Sequence, residues 1–251
     1  METPALADWK FWSFFVSVLA LIASQLPPLR VALRKGKLFL EVYSQVYINH
    51  HYGNPHAQLH VSLSHLKGRK VRVSAITMTV SSASGAVFKL PAMSYQHKEA
   101  GKGAFLFTPF ALATGDEWSH VVNFFPNISR QDDKLIKDAS SALQKDIIAK
   151  RHHLEDKDAD VEADPELVAP FIQLFDNKYK WFPDEYNVLV SVTTDPPNSV
   201  PDKQLRVILF DWDVSQLRST VERYKYGIGI LYDISKPEGV VVPFQSQQET
   251  R

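Results

Sequence analysis

The chain has 251 residues, of which 45% are hydrophobic and 22% are charged, a composition typical of a folded protein with a buried core. Lysine plus arginine equals aspartate plus glutamate at 28 each, so the chain lacks the basic field that attracts nucleic acid, and no nucleic acid partner is predicted. Cysteine is absent, which excludes disulfides, thiolate metal sites and cysteine nucleophiles.

The first predicted element is a membrane helix. Residues 11–29 carry no formal charge, and a helix of this length would be roughly 28 Å long, close to the hydrocarbon core of a bilayer. Pro27 and Pro28 predict that the helix ends or kinks near Gln25. The residues expected to flank the membrane are Trp9, Trp12, Arg30, Arg34, Lys35 and Lys37.

This pattern predicts a single transmembrane anchor at 9–29 that contacts the lipid bilayer. The positive charges follow the apolar run, so the positive-inside rule places the C-terminal domain in the cytoplasm. The same charges can bind anionic lipid headgroups. The alternatives are a cleaved signal peptide, a buried core helix and a tilted or interfacial helix.

Alternation of period two predicts strands after Leu38. The clearest case is residues 59–63, where apolar residues alternate with His60 and Ser62. A long strand follows over 71–80, with a bulge near Ala75 where the phase shifts. Further strands are predicted around 87–90, 105–110, 118–125, 188–192, 205–209, 228–232 and 240–242.

Helical spacing interrupts this pattern. Apolar residues recur every three or four positions over 132–154, where Asp132 or Asp133 is the expected cap. Pro165 begins a second predicted helix. A third is predicted after Asp213 and is expected to stop at Gly227.

The predicted fold is therefore mainly β: an N-terminal transmembrane helix followed by an antiparallel β-sandwich with a helical insertion at about 130–180. The strand spacing resembles that of immunoglobulin-like domains in patterning only, since a Cys-Trp-Cys core is absent. The predicted segments are a tail at 1–8, the anchor at 9–29, a basic juxtamembrane segment at 30–37, the sandwich at 38–244 and a tail at 245–251.

Four histidines within eleven residues, His50, His51, His56 and His60, are the first candidate for chemistry. Zinc is commonly bound by neutral histidine nitrogens, and catalytic zinc usually has three protein ligands. However, an HxxxH spacing on a strand spans about 13 Å, which is too far for one ion. A polar loop beside an outward-facing strand is the simpler interpretation.

The acidic residues offer two further candidates. An alternating run has the oxygen donors of a calcium loop but carries Val161 and Leu167 where the loop needs glycine and glutamate. Its acids are Asp156, Asp158, Asp160, Glu162 and Asp164. Asp211 and Asp213 form a carboxylate pair that is explained more simply by a strand end and a helix cap. No catalytic residue, cofactor or metal site is predicted.

The sequence thus predicts a membrane-tethered, non-enzymatic β-sandwich that binds an unknown protein partner. One alternative is an enzyme whose site is assembled from dispersed histidine and aspartate residues. A second alternative is an envelope-facing module that binds lipid or glycan, with Trp118, Trp181 and Trp212 lining one groove.

Overall fold

A computed structural model describes residues 9–33, 36–96, 103–153, 160–197, 200–232 and 238–245. Its strands are β1 (Lys37–Val42), β2 (Gln45–His51), β3 (Asn54–Lys67), β4 (Val71–Ser82), β5 (Val87–Gln96), β6 (Ala104–Leu106), β7 (Phe110–Leu112), β8 (Glu117–Phe124), β9 (Asp184–Asp195), β10 (Lys203–Leu209) and β11 (Val240–Pro243). Its helices are α1 (Trp9–Leu33), α2 (Arg130–His152), α3 (Pro165–Lys178) and α4 (Asp211–Glu222).

Strand β3 is the central element and shows why the chain is β-rich. Leu59, Val61 and Leu63 are fully buried, whereas His60 faces the other side of the sheet. This is the alternation that the sequence predicts. The phase shift near Ala75 is also present, as a change of register between β4 and β9.

The strands form one sheet in the order β10-β9-β4-β5-β8-β3-β2-β11. Its two ends meet where Gln245, just after β11, donates its backbone N–H to the carbonyl of Arg206 in β10 at 2.9 Å. The result is a nearly closed, barrel-like sheet. Antiparallel partners join all these strands.

The prediction of an immunoglobulin-like sandwich is wrong. Strand β5 pairs with β4 through residues 87–91 and with β8 through residues 92–96, so one continuous strand joins what would be two separate sheets. Alternating burial is the same in a sandwich and in a sheet that curls on itself, because both have one buried face. The sequence pattern therefore predicts strands but does not distinguish the two arrangements.

Helices α2 and α3 lie in the region that helical spacing predicts and cover a second apolar core. Leu143, Ile147 and Phe171 are fully buried there, against Tyr52 and Tyr224. The cap of α2 is Ser129 and not an aspartate: its Oγ accepts the backbone N–H of Asp132 at 3.0 Å. This cap fixes the point at which the chain leaves β8 and enters the helix.

The predicted transmembrane anchor is wrong. Helix α1 continues past Pro27 and Pro28 to Leu33, so it does not end near Gln25. Among the helices of the described residues, none combines the length and the apolar character needed to cross a bilayer. A run without charge is not the same as an apolar run: Ser13, Ser17 and the residues around the two prolines lower its hydropathy.

Because the anchor prediction is wrong, the predicted single-pass localisation is wrong too, and the orientation inferred from the basic residues loses its basis. Trp9 and Trp12 are exposed on α1, Arg30 lies in its last turns, and Lys37 begins strand β1. Arg34 and Lys35 lie outside the described residues, as do the predicted tail at 1–8 and residues 246–251 of the C-terminal tail. Contact of this helix with lipid is not tested and stays a prediction.

Two smaller differences concern the late elements. Residues 228–232 form only an isolated bridge between Ile228 and Tyr232 in place of the predicted strand. Helix α4 begins at Asp211, so this residue starts the helix and does not end a strand. Gly227 does end the helical region, with a positive φ of 75° after a 3₁₀ turn at Tyr224–Tyr226.

Candidate functional site

The β2–β3 hairpin positions the histidines. His51 pairs with Asn54, so Tyr52 and Gly53 alone form the turn. Both have positive φ, 51° and 81°, the backbone that a two-residue hairpin turn with the natural strand twist requires. A side chain at Gly53 would lie 2.5 Å from the carbonyl oxygen of Phe175, so only glycine allows α3 to approach this closely.

A polar band crosses the outer face of four neighbouring strands, β2, β3, β8 and β5. In the register, Gln58 of β3 lies opposite Asn123 of β8, which in turn lies opposite Ser94 of β5. Residues opposite each other on antiparallel strands share a face. The band consists of His51, Asn54, His56, Gln58, Ser94, Gln96 and Asn123.

This band forms the floor of a cavity of about 340 Å³, here called the polar pocket. The rest of the described lining is apolar and consists of Ala104 and of the link between β8 and α2, with Phe125, Pro126 and Ile128. The His56 ring meets the Phe125 ring edge-on, with centroids 5.1 Å apart. The volume is within the range of about 300–1,000 Å³ that is usual for small-molecule sites.

Four residues that line the polar pocket each have a fully buried side-chain atom without a hydrogen-bond partner in the described structure: His51 Nε2, Asn54 Nδ2, His56 Nε2 and Asn123 Oδ1. Asn123 is only 6% exposed, and its Nδ2 already donates to Ser94 Oγ at 2.8 Å. The Ser94 hydroxyl therefore keeps its own proton to donate. Buried polar groups are almost always paired, and an unpaired group costs about 1–3 kcal/mol.

The polar pocket is electrically neutral at physiological pH. Burial lowers the pKa of His51, and burial together with the nearby His51 lowers the pKa of His56 to about 4. Both imidazoles are then uncharged, so each offers one N–H donor and one bare nitrogen. Among the described residues that line the polar pocket, none is an aspartate, glutamate, lysine or arginine.

His50, the neighbour of His51, has a different role. Its Nε2 donates to the carbonyl oxygen of Leu217 in α4 at 2.7 Å, and its Nδ1 accepts the N–H of Gly53 at 3.2 Å. These two bonds fix the neutral Nε2–H tautomer. Burial lowers the pKa of His50 to about 4. His50 thus holds the hairpin against α4 as a fully paired core residue.

His60 lies farther along β3, in a second cavity of about 430 Å³, here called the His60 cleft. Its Nε2 lies 3.2 Å from Ser119 Oγ, an arrangement that resembles a nucleophile and its base. The neighbouring carboxylate of Glu117, however, accepts the Ser62 hydroxyl at 3.0 Å and has no hydrogen bond to His60. The third group that orients the base in a catalytic triad is therefore missing from this pair.

The structure thus divides the four predicted histidines among three environments. His51 and His56 share the polar pocket, His50 is in the core, and His60 is in the His60 cleft. Within the described residues, no group of three or more histidine, cysteine, aspartate or glutamate side chains is placed to hold a metal ion.

The acidic candidates have structural partners. Asp164 binds Lys150 at 2.6 Å, and Glu162 binds Lys225 and the Tyr226 hydroxyl. Asp156 and Asp158 lie outside the described residues. Asp213 lies within the first turn of α4, not before it as predicted; its Oδ2 accepts the backbone N–H of the N-cap residue Phe210 at 3.0 Å.

The three tryptophans of the glycan-binding alternative do not line one groove. Trp181 is buried, and its Nε1 donates to the carbonyl oxygen of Asn49 at 3.1 Å. Trp118 stacks on Phe110 with centroids 4.8 Å apart, and Trp212 stacks on Phe210 at the start of α4.

Sequence reasoning missed strand β2, which it interpreted as a polar loop, and with it the polar pocket. A signal for β2 exists, because Val46, Ile48 and His50 alternate with Tyr47, Asn49 and His51. The contributions of Ser94 and Asn123 have no such local signal, since they depend on strand pairing across the sheet.

No protein-family model matches the chain, and neither a curated protein nor a solved structure with significant similarity to it was found. The site is therefore interpreted from its own geometry.

Proposed function

We propose that this protein binds a small, uncharged ligand that makes several hydrogen bonds, and that the polar pocket is the binding site. The observation that carries the proposal is that four residues lining one cavity each have a buried side-chain atom without a hydrogen-bond partner. A ligand that pairs with them would remove a cost of about 1–3 kcal/mol for each atom.

The charges of the polar pocket support an uncharged ligand. A carboxylate or phosphate group needs cationic partners or several donors, and a cation needs carboxylates. The part of the lining that the structure describes offers neither, because its titratable groups are His51 and His56, whose pKa values burial lowers. A charged ligand would lose its hydration without gaining a counter-charge.

Binding is better supported than catalysis. General acid–base catalysis is most efficient when the catalytic pKa lies near the working pH, and the pKa of His56 lies at about 4. In the described structure the Ser94 hydroxyl accepts from Asn123 and is not hydrogen-bonded to either histidine of the pocket. The enzyme alternative therefore receives no support from the polar pocket, while the predicted protein partner stays a prediction.

The proposal is tested by ligand-observed NMR of the full chain with a library of neutral, anionic and cationic fragments. The variant Ala104→Trp fills the mouth of the polar pocket from the exposed strand β6. Its matched control is Ala111→Trp, at an exposed position of the equally short strand β7. Neutral fragments are expected to bind the wild type and Ala111→Trp, and to lose binding in Ala104→Trp. Binding that persists unchanged in Ala104→Trp, or that favours charged fragments, would overturn the proposal.

A further inference from the structure

We infer that the ligand of the polar pocket is a sugar ring, held with its hydroxyl groups on the strand face and its C–H face against the β8–α2 link. This inference rests on the proposed function and names the ligand class. Three features of the polar pocket support it: the mixed polar and apolar lining, the combination of donors and acceptors, and the size of the cavity.

The lining has two chemically different sides. The strands β2, β3, β5 and β8 supply carboxamides, imidazoles and a hydroxyl, whereas the β8–α2 link, with Phe125, Pro126 and Ile128, supplies apolar surface beside them. A pyranose ring has the same two-sided character, because its hydroxyl groups project from the rim and its C–H bonds form an apolar face. Phe125 supplies the aromatic surface, and its ring is held in place by the edge contact with His56.

The hydrogen-bonding groups call for partners that both donate and accept. Asn54 Nδ2 can only donate and Asn123 Oδ1 can only accept. Each neutral imidazole donates at one ring nitrogen and accepts at the other. A hydroxyl group donates one bond and accepts two, so neighbouring hydroxyls satisfy such a mixed set in either direction. A planar amide has fixed donor and acceptor ends, and it can match only part of this set at one time.

The size of the cavity limits the ligand. At about 340 Å³ the polar pocket is at the small end of ligand sites, which favours a single sugar or the terminal sugar of a glycan over a longer chain. The chemistry is the same for these two sources. They differ at the anomeric carbon, which carries a free hydroxyl in a single sugar and a glycosidic bond in a glycan.

Asn54 gives the clearest variant. Its Nδ2 has no partner inside the protein, so Asn54→Ala removes a donor to the ligand without breaking a side-chain hydrogen bond at that atom. The matched control is Asn187→Ala, at an exposed position of β9 that does not line the polar pocket. Phe125→Leu removes the aromatic face while keeping an apolar side chain.

The experiment is calorimetric titration of the full chain with glucose, galactose, mannose and N-acetylglucosamine, and with their methyl glycosides. We expect at least one of these sugars to bind, with an affinity about 3- to 10-fold weaker in Asn54→Ala and in Phe125→Leu and unchanged in Asn187→Ala. Equal binding of the methyl glycoside assigns the site to a glycan terminus, and loss of binding on methylation assigns it to a free sugar; both results support the inference.

Three results would overturn it, and they differ in what they imply for the proposed function. If neutral amides bind the wild type and lose binding in Ala104→Trp, but none of the sugars binds, the ligand class is wrong and the proposed function stands. If no neutral fragment or sugar binds at all, both are wrong. Equal sugar affinity in wild type, Asn54→Ala and Phe125→Leu would place the sugar elsewhere and also overturn the inference.

Discussion

The histidines on the two sides of strand β2 differ in one respect that separates structure from function. His50, on the inner side, has a partner for each ring nitrogen and holds the hairpin against α4. His51, on the outer side, and His56 beside it each have a buried Nε2 without a partner. The pKa of each is lowered by burial, so desolvation alone does not distinguish them. Their hydrogen bonds distinguish them. A histidine with both ring nitrogens paired stabilises the fold, whereas we propose that a histidine that lines the cavity and has an unpaired nitrogen serves ligand binding.

The largest expected effect is at the turn that supports the inner side. Gly53→Ala would bring a Cβ to within 2.5 Å of the Phe175 carbonyl oxygen, at a φ of 81°. Backbone strain and steric overlap together are expected to lower the free energy of unfolding by about 4 kcal/mol. The control is Gly85→Ala, at a φ of 97° with no atom within 4 Å, where only the strain term of about 1 kcal/mol applies. Urea unfolding measures both, and equal losses would refute the role of the Phe175 contact.

The next largest change in stability is expected to differ between the neighbouring residues His50 and His51. His50→Leu removes the side-chain donor to the Leu217 carbonyl and leaves the Gly53 N–H buried without its partner, so a loss of about 3 kcal/mol is expected. His51→Leu removes an unpaired polar atom and is expected to change stability by less than about 1 kcal/mol. Urea unfolding of the two variants at pH 7.5 tests this, and a larger loss for His51→Leu would reverse the assignment of roles.

Acid should destabilise the protein through His50 and His56. Each has a pKa near 6.5 in the unfolded chain and about 4 in the folded protein, so the unfolded state binds more protons between these values. Their stabilising contribution is complete above about pH 6.5 and is lost as the pH falls towards 4. Comparing wild type with His56→Leu isolates one group, for which a difference of about 2 kcal/mol is expected to develop across this window. Parallel stability curves for the two proteins would show that the pKa of His56 is not lowered.

The smallest effect concerns metal. His56→Ala combined with His60→Ala is expected to change the free energy of unfolding at pH 7.5 by about 1 kcal/mol or less, because the two side chains lie in different cavities. A structural zinc would contribute on the order of 10 kcal/mol, so its loss would be evident. Elemental analysis of the purified chain is expected to give no stoichiometric zinc or calcium. One zinc per chain, lost in the double variant, would contradict this prediction.

What the sequence predicts well is what neighbouring residues determine. Several features depend on residues only a few positions apart. They are the alternation in β3, the bulge in β4, the helices that begin near 130 and at Pro165, and the first-turn cap by Asp213. The closure of the sheet and the polar pocket depend on pairs such as Gln58 with Asn123, which are far apart in the chain. A single sequence has no local pattern that specifies such pairs. The prediction of a membrane anchor failed for another reason, because the absence of charged residues does not measure the hydropathy of a helix.

The join between the two ends of the sheet has a consequence for how the chain folds as it is synthesised. Strand β11 pairs Val240 with Ile48 of β2, so the strand that borders the hairpin on one side is synthesised long after the hairpin itself. Contacts between residues so far apart in the chain require a large loss of loop-closure entropy, and this slows folding. A nascent chain that still lacks residues 240–245 has an unpaired edge on β2. We therefore expect the hairpin to acquire its final protection from hydrogen exchange only after the C-terminal residues have left the ribosome.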